Sequence, residues 1–391
     1  MDKPLLHLSR LLWSHSLVWL LLTMVLLLGG CASVLAPVKA MPTMVPCGVV
    51  EENCLLLGRK RFEDYRQEKL EKIERRSAGY RLPGAPTAHL HPMRTEYSVL
   101  LVHGLNDSAY YMDDIATLLY EHGFNVLTVL LPGHGTDTKD MLEVTAEQWR
   151  AEVEQGLEMA SLVGRKVIVG GFSLGGALSI DAALRRPDIH GLLLFSPAIK
   201  LRSFNAVSSL TCVPGFRTMS VETDLPPNPV KYKHRIGNGV CQLARLIESN
   251  LANGEAERDD PVSFMERLRE MGQRLQVPTF VALTYADARI SPQAVLELSS
   301  QIDSPVTITT FGLAENDVAP RLSNGGKIVH INDDNLPHSF LVRRSNQYNG
   351  QENPYFDEMS MVISHFLKQH FHAAPVSSKA ETRVLNRIGK K

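Results

Sequence analysis

Five residues, Gly171-Phe172-Ser173-Leu174-Gly175, form a G-x-S-x-G. The apolar run Lys166–Val169 precedes them, and the helix-patterned stretch Leu174–Leu184 follows. Strand, tight turn and helix in that order present a serine hydroxyl at the carboxyl end of a strand, above a helix N-terminus. Such a turn leaves no room for bulk beside it, and Gly171, Gly175 and Gly176 supply the space. A hydroxyl becomes an effective nucleophile only when a base takes its proton and donors hold the developing oxyanion. Two donors are legible. One is the N–H of Leu174, the residue after the serine; the other is that of Leu105, in the His103-Gly104-Leu105 turn that ends the run Val99–Val102.

The base and its acid are expected later in the chain, in the order serine, acid, histidine. Asp287, in Tyr285-Ala286-Asp287-Ala288, lies just past the apolar run Pro278–Leu283 and is the first choice for the acid. Asp317, in Glu315-Asn316-Asp317-Val318, is its rival, being nearer the histidine and after the next strand. His338, in Asn335-Leu336-Pro337-His338-Ser339, precedes the last helix and is the candidate base. His103 reads as a residue that holds its own turn, and His134 and His330 as structural histidines.

These residues need a scaffold, and the hydropathy pattern describes one. Short apolar runs at Val99–Val102, Val126–Leu131, Lys166–Val169 and Leu192–Phe195 read as strands buried on both faces. Between them lie Ser108–His122, stopped by Gly123, and Thr145–Leu162, with a stripe of Trp149, Val153, Leu157 and Ala160. Alternating strands and helices predict an α/β fold with a mostly parallel central sheet flanked by helices. The alternation lapses over 199–276, which reads as an insertion. It resumes with a strand at Pro278–Leu283, a helix at Pro292–Ile302 and a strand at Val306–Phe311. A loop-rich stretch then leads to His338, and a final helix runs over Pro354–His370. The core is thus divided into 96–198 and 277–372, with a basic tail over 373–391.

The chain has 391 residues, with 41 basic against 42 acidic side chains, and 44% of it is hydrophobic. That balance argues against a nucleic-acid partner, and the apolar content against general disorder. Lys3 and Arg10 flank an apolar run, Leu17–Leu28, that ends in Gly29-Gly30-Cys31-Ala32. Residues 1–30 therefore read as a secretory signal, 31–95 as a tether and N-terminal segment, and Arg59–Arg76 as a solvated helix. Four further cysteines, Cys47, Cys54, Cys212 and Cys241, suggest disulfides in an exported chain. Sequence proximity favours Cys47–Cys54 and Cys212–Cys241. Neither metal-ligand spacing nor a dinucleotide-binding fingerprint appears, so no metal or cofactor is implied.

Leu101-Val102-His103-Gly104, Leu131-Pro132-Gly133-His134-Gly135, the serine motif, the Asp287 segment and His338 together resemble α/β-hydrolases of the carboxylesterase, monoacylglycerol lipase and lysophospholipase group. The resemblance covers 96–372. It implies the α/β-hydrolase fold, with 199–276 as a cap over the pocket. It also implies cleavage of acyl-ester or lipid-like substrates by Ser173, His338 and Asp287 through an acyl-enzyme. The interval from Asp287 to His338 is longer than the family leads one to expect, and an insertion around Ala314–Ile331 would account for it. Aminopeptidases of the proline iminopeptidase type share the elbow and cap; they would need cap acids such as Glu222 or Asp224. A catalytically inactive binding lipoprotein of the same fold is the other alternative. The Gly-Gly-Cys end of the leader resembles a lipoprotein lipobox, which implies lipid on Cys31. Ala32 after it implies the outer membrane of a Gram-negative bacterium.

Overall fold

Val99, Leu100, Leu101 and Val102 cannot all face one core, because successive side chains of a strand point to opposite sides. In the computed structural model the two sides are both covered. The structure describes residues 51–76, 82–202, 211–222, 228–252, 261–312, 322, 326–345, 347–348, 350 and 352–373. Its eight-stranded sheet comprises β1 (Ala88–His89), β2 (Thr95–Val102), β3 (Asn125–Thr128), β4 (Gly164–Phe172) and β5 (Ile189–Phe195). After the insertion come β8 (Thr279–Thr284), β9 (Val306–Phe311) and β10 (Lys327–Ile331). The spatial order is β1-β3-β2-β4-β5-β8-β9-β10; β1 runs antiparallel to β3 and every other pair is parallel.

Leu100 and Val102 face one layer of helices: α1 (Glu51–Arg76), α3 (Ala146–Val163) and α4 (Leu174–Arg185), joined by helices of the insertion and by α8 (Pro292–Gln301). Val99 and Leu101 face the other layer, α2 (Asp113–Glu121) and α9 (Phe356–Phe371). Helix α3 starts where Thr145 and Gln148 form a reciprocal capping box, so two otherwise unpaired N–H groups find acceptors. Arginines tie its outer end to α4. Arg186 donates to Glu154 and Asp188, Arg185 to Asp181, and Arg150 to both Asp181 and Ser249.

Two regions depart from expectation. Helix α1 begins at Glu51 and is not solvated all round: Leu55, Phe62, Tyr65 and Ile73 are buried. Lys69 pairs with Glu152 at 2.8 Å, and the Tyr65 hydroxyl accepts the Leu130 N–H. The dense charge of this stretch obscures an apolar stripe at helical spacing. The described part of 31–95 therefore packs on the hydrolase core and is not a bare tether. Strand β10 occupies part of the expected loop before His338. It is an edge strand with only Ile331 buried, so it lacks the apolar run by which the other strands are recognised. The long interval before His338 thus holds α8, β9 and this additional strand.

The insertion contains α5 (Pro214–Arg217), a hairpin of β6 (Ser220–Glu222) and β7 (His234–Ile236), α6 (Gly237–Leu251) and α7 (Pro261–Arg274). A Cys212–Cys241 disulfide links α6 to the segment before α5, with the Cα atoms 4.9 Å apart. The insertion rests on loops that leave the carboxyl ends of β2 and β3. Tyr232 N–H donates to Asn106 O at 2.8 Å, Ser108 Oγ to Val230 O at 2.8 Å, and Asn238 Nδ2 to Met141 O at 2.9 Å. Cys54 is also disulfide-bonded. Its expected partner Cys47 lies outside the described residues, as do the leader, Cys31, Asp224, Asp317 and the tail after Ala373. Among the described residues no helix is long and apolar enough to cross a membrane.

Candidate active site

Strand β4 lies between β2 and β5, pairing Gly171 with Val102 and with Leu194, so its end is central and buried. Ser173 follows with φ 55° and ψ −111°, in the region that disfavours every residue but glycine. Three backbone hydrogen bonds hold it there. Its N–H donates to Phe195 O at 2.9 Å, and its carbonyl accepts from Ala177 at 3.1 Å and Ala198 at 3.0 Å. A side chain at Gly175 would collide with the Val102 carbonyl, and one at Gly171 with the backbone of Gly175. These two glycines let the first turn of α4 press against the end of β2. That approach sets Gly175 against the Val102 and His103 carbonyls, and the N–H of Leu174 before it has no acceptor within its helix.

Asp287 sits in the turn after β8. Its Oδ1 accepts N–H groups of Arg289 at 2.8 Å and Ile290 at 2.9 Å, and its Oδ2 lies 2.5 Å from His338 Nδ1. Burial alone would push this carboxyl up. The His338 charge and hydrogen bond, with the two N–H groups, outweigh it and hold the pKa below the ordinary value. Arg202 Nη1 donates to the Asp287 carbonyl at 2.7 Å, which fixes the turn from the insertion side. His338 occupies a single 3-10 turn, His338–Phe340, and Thr284 Oγ1 ties that loop to the end of β8 by donating to Leu336 O at 2.7 Å. The imidazole lies against the Phe172 ring, 4.7 Å between centroids, and Phe172 is the residue before Ser173. Ser173, Asp287 and His338 are all buried, at 8%, 2% and 5% exposure.

The other histidines are engaged elsewhere. His103 Nδ1 donates to Gly104 O at 2.9 Å, while its Nε2 accepts the Leu131 N–H at 3.1 Å. Burial lowers its pKa to about 4. His134 Nδ1 donates to Pro132 O, and burial, then the neighbouring His103, lowers its pKa to about 3. His330 Nδ1 lies 2.6 Å from Thr310 Oγ1 on the far edge of the sheet. Among the described residues no group of three or more His, Cys, Asp or Glu side chains is placed to hold a metal.

Four charged residues at this end of the sheet carried no signal in the sequence. Lys231 of the insertion forms a buried ion pair with Asp107 at 2.6 Å, its Nζ also 4.8 Å from the centre of the Tyr111 ring. Burial, and then the charge of Arg289 beside Asp287, lowers the pKa of Arg235 on β7. Lys231 and Asp107 are far apart along the chain and become neighbours only when the insertion folds back. Glu222, the cap acid considered for an aminopeptidase, is exposed and ion-paired with Lys233.

A thermostable monoacylglycerol lipase from Bacillus sp. (strain H-257) is 31% identical over 158 residues, which is 39% of this chain and 63% of that protein. The match thus spans less than two thirds of that relative's length. Among solved structures, one from a study of two metagenome-derived lipolytic enzymes, LipS and LipT, aligns over 75% of this chain and 99% of its own at TM-score 0.53 and 16% identity. The Paleococcus ferrophilus monoacylglycerol lipase aligns over 73% and 98% at TM-score 0.51 and 17% identity. At those identities the likeness is one of fold. The alpha/beta hydrolase family model matches residues 99–338, from the core of β2 to the histidine at the site, and the chain belongs to that family.

Proposed function

We propose that the protein is a serine hydrolase of carboxylic esters, acting on acyl-ester or lipid-like substrates. The observation that carries this reading is the buried His338–Asp287 pair, whose imidazole lies against the residue preceding a strained, elbow-placed serine. With Nδ1 committed to Asp287, Nε2 is the nitrogen left to take the Ser173 proton. The serine oxygen then bonds to the ester carbonyl carbon, and the carbonyl π pair moves onto oxygen, held by the N–H groups of Leu105 and Leu174. Collapse expels the alcohol, which takes the proton from His338 and leaves an acyl-serine. A water molecule, deprotonated by the same nitrogen, repeats the cycle and releases the fatty acid and free serine. Likeness to a monoacylglycerol lipase supports acyl esters as the substrate class. Fluorophosphonate labelling of Ser173, together with a p-nitrophenyl ester series from acetate to palmitate, tests the reading. Hydrolysis that persists in Ser173→Ala, or a wild-type protein neither labelled nor active, would overturn it.

This reading extends to a membrane location, proposed from the lipobox-like Gly29-Gly30-Cys31-Ala32 with lipid attached at Cys31, and probed by fatty-acid labelling of the wild type and Cys31→Ser. Label retained in the variant would refute the anchor. It also makes Cys212–Cys241 a brace within a cap that shapes the acyl pocket.

A further inference from the structure

The turn after β2 is tied to a distant segment of the insertion. Residues 103–107 carry the Leu105 N–H assigned above to the oxyanion, and the Asp107 N–H closes the turn by donating to Gly104 O at 3.2 Å. Asn106 adopts φ 69°, a left-handed conformation that is uncommon for a residue with a side chain. Such conformations persist where neighbours over-determine them. Here the neighbours are residues 228–232. Asn106 O accepts the Tyr232 N–H at 2.8 Å, and Ser108 Oγ donates to Val230 O at 2.8 Å. Asn228 Nδ2 donates to the Tyr111 hydroxyl at 3.1 Å, while its Oδ1 accepts the Val230 N–H at 2.9 Å. Lys231, flanked in sequence by Val230 and Tyr232, pairs with Asp107 at 2.6 Å, the two side chains being only 4% and 2% exposed.

A buried ion pair is a poor source of stability. Desolvation of both charges can exceed their attraction, and an apolar pair of similar volume often serves the fold as well or better. What the pair does supply is position, because each charge is met in one arrangement only. Position matters at Asp107. A side chain at Gly104 would collide with Asp107 Oδ2 and with the Phe172 ring, so the carboxylate stands against the turn itself, beside the residue that precedes Ser173. Leu105 is the next residue after Gly104. Oxyanion donors are effective only when they already point at the place where charge develops, and an error of about 1 Å can cost about 10²-fold in rate.

We propose that Lys231 is a positioning residue for ester cleavage: its ion pair with Asp107 holds the 103–107 turn so that the Leu105 N–H meets the oxyanion. The proposal rests on the ester-hydrolase reading above. It goes beyond that reading by giving the insertion a part in turnover as well as in the shape of the acyl pocket.

The test uses the full-length protein with Lys231→Met, alone and combined with Asp107→Asn, assayed on p-nitrophenyl butyrate well below each melting temperature. Lys231→Met should lower kcat about 10- to 100-fold, short of the loss of about 10²- to 10³-fold that follows removal of a whole oxyanion donor. Acylation and deacylation both pass through an oxyanion, so KM should stay within about 2-fold of wild type. An octyl trifluoromethyl ketone reports on the same donors. Ser173 Oγ bonds to its carbonyl carbon, the serine proton passes to His338, and the carbonyl oxygen becomes an oxyanion. Affinity for this ketone should fall by the same factor as kcat. Replacing both charges leaves no lone carboxylate buried, so the double variant should melt close to wild type while its kcat stays low. The double variant carries the test where Lys231→Met alone does not fold. A folded Lys231→Met protein with wild-type kcat overturns the proposal. So does a double variant that regains kcat along with its melting temperature, since the pair would then prop the fold alone. A loss of kcat that ketone affinity does not share also overturns it. A wild type that neither hydrolyses esters nor is labelled by fluorophosphonate overturns the hydrolase reading, and this proposal with it.

Discussion

Arginines occupy two regions of this molecule in opposite ways. In the α3–α4 seam, Arg186 is buried between Glu154 at 2.6 Å and Asp188 at 2.9 Å. Burial opposes its charge, yet those two carboxylates outweigh burial and raise its pKa above the ordinary value. At the cap mouth, Arg235 has no carboxylate partner among the described residues, and burial with a like charge lowers its pKa. The same side chain is thus completed by the fold in one place and left incomplete in the other. Complete pairing holds helices in register; incomplete pairing is a cost the free protein bears unless something else completes it. The contrast predicts a division of effects, in which changes at the mouth alter activity and changes in the seam alter stability.

The strongest test lies at the mouth. Ser173→Ala should lower p-nitrophenyl ester turnover by at least about 10⁴-fold, with a urea midpoint close to wild type. More than a tenth of the activity remaining would break the comparison at its centre. Asp287→Asn should cost about 10⁴-fold in kcat, because the amide no longer holds the imidazole in the tautomer that Nε2 chemistry needs. In the seam, Arg186→Ala should leave Glu154 with Arg185 alone, at 3.2 Å, and lower unfolding stability by about 1.5–3 kcal/mol, the scale of a hydrogen bond to a charged group. Its kcat, measured well below the melting temperature, should change by less than about 2-fold, the scale of a few tenths of a kcal/mol.

Removing the insertion's cross-link with Cys212→Ser sharpens the boundary between the two regions. Its ends are 29 residues apart, and the chain-entropy model assigns such a loop about 3–4 kcal/mol. Limited proteolysis should cut within 199–276 first, and chain-length preference should broaden while short-ester turnover persists. Equal cutting in wild type and variant would count against the brace. The smallest effect is electrostatic. Because the folded-state pKa of Asp287 lies below its ordinary 3.8, its ionised form adds stability above that value. This contribution should fade as pH falls through the folded pKa. The melting-temperature gap between wild type and Asp287→Asn should therefore narrow in acid. A gap independent of pH would show that the carboxylate's charge is not what the fold relies on.

Much of this layout is legible in residue order, because the parts that carry it are local. A strand buried on both faces announces itself as an apolar run, as β2 and β4 do, and the serine motif marks the junction of β4 and α4. Asp287 and His338, chosen by their places after strands, lie 2.5 Å apart. What was illegible depends on tertiary neighbours or on masked patterns. Strand β10 carries Ile328, Val329 and Ile331, but Lys327 and His330 interrupt its apolar run and only Ile331 is buried, so it lacks the continuous pattern of the inner strands. Helix α1 hides a buried stripe among charges. Lys231 and Asp107 are ordinary charged residues until the insertion brings them into a buried ion pair at 2.6 Å.

The sheet order also has a consequence in time. All three backbone hydrogen bonds at Ser173 come from residues no later than Ala198, whereas β8 joins β5 only after the excursion through the insertion. A chain emerging from the ribosome can therefore close the serine turn while Asp287 and His338 are still unsynthesised. On that order the strained residue can be in place first, with the proton-handling pair supplied by the last third of the polypeptide. Until then the nascent chain holds a hydroxyl without its base, and under the proposed mechanism it is inert toward the esters that the finished protein would cleave.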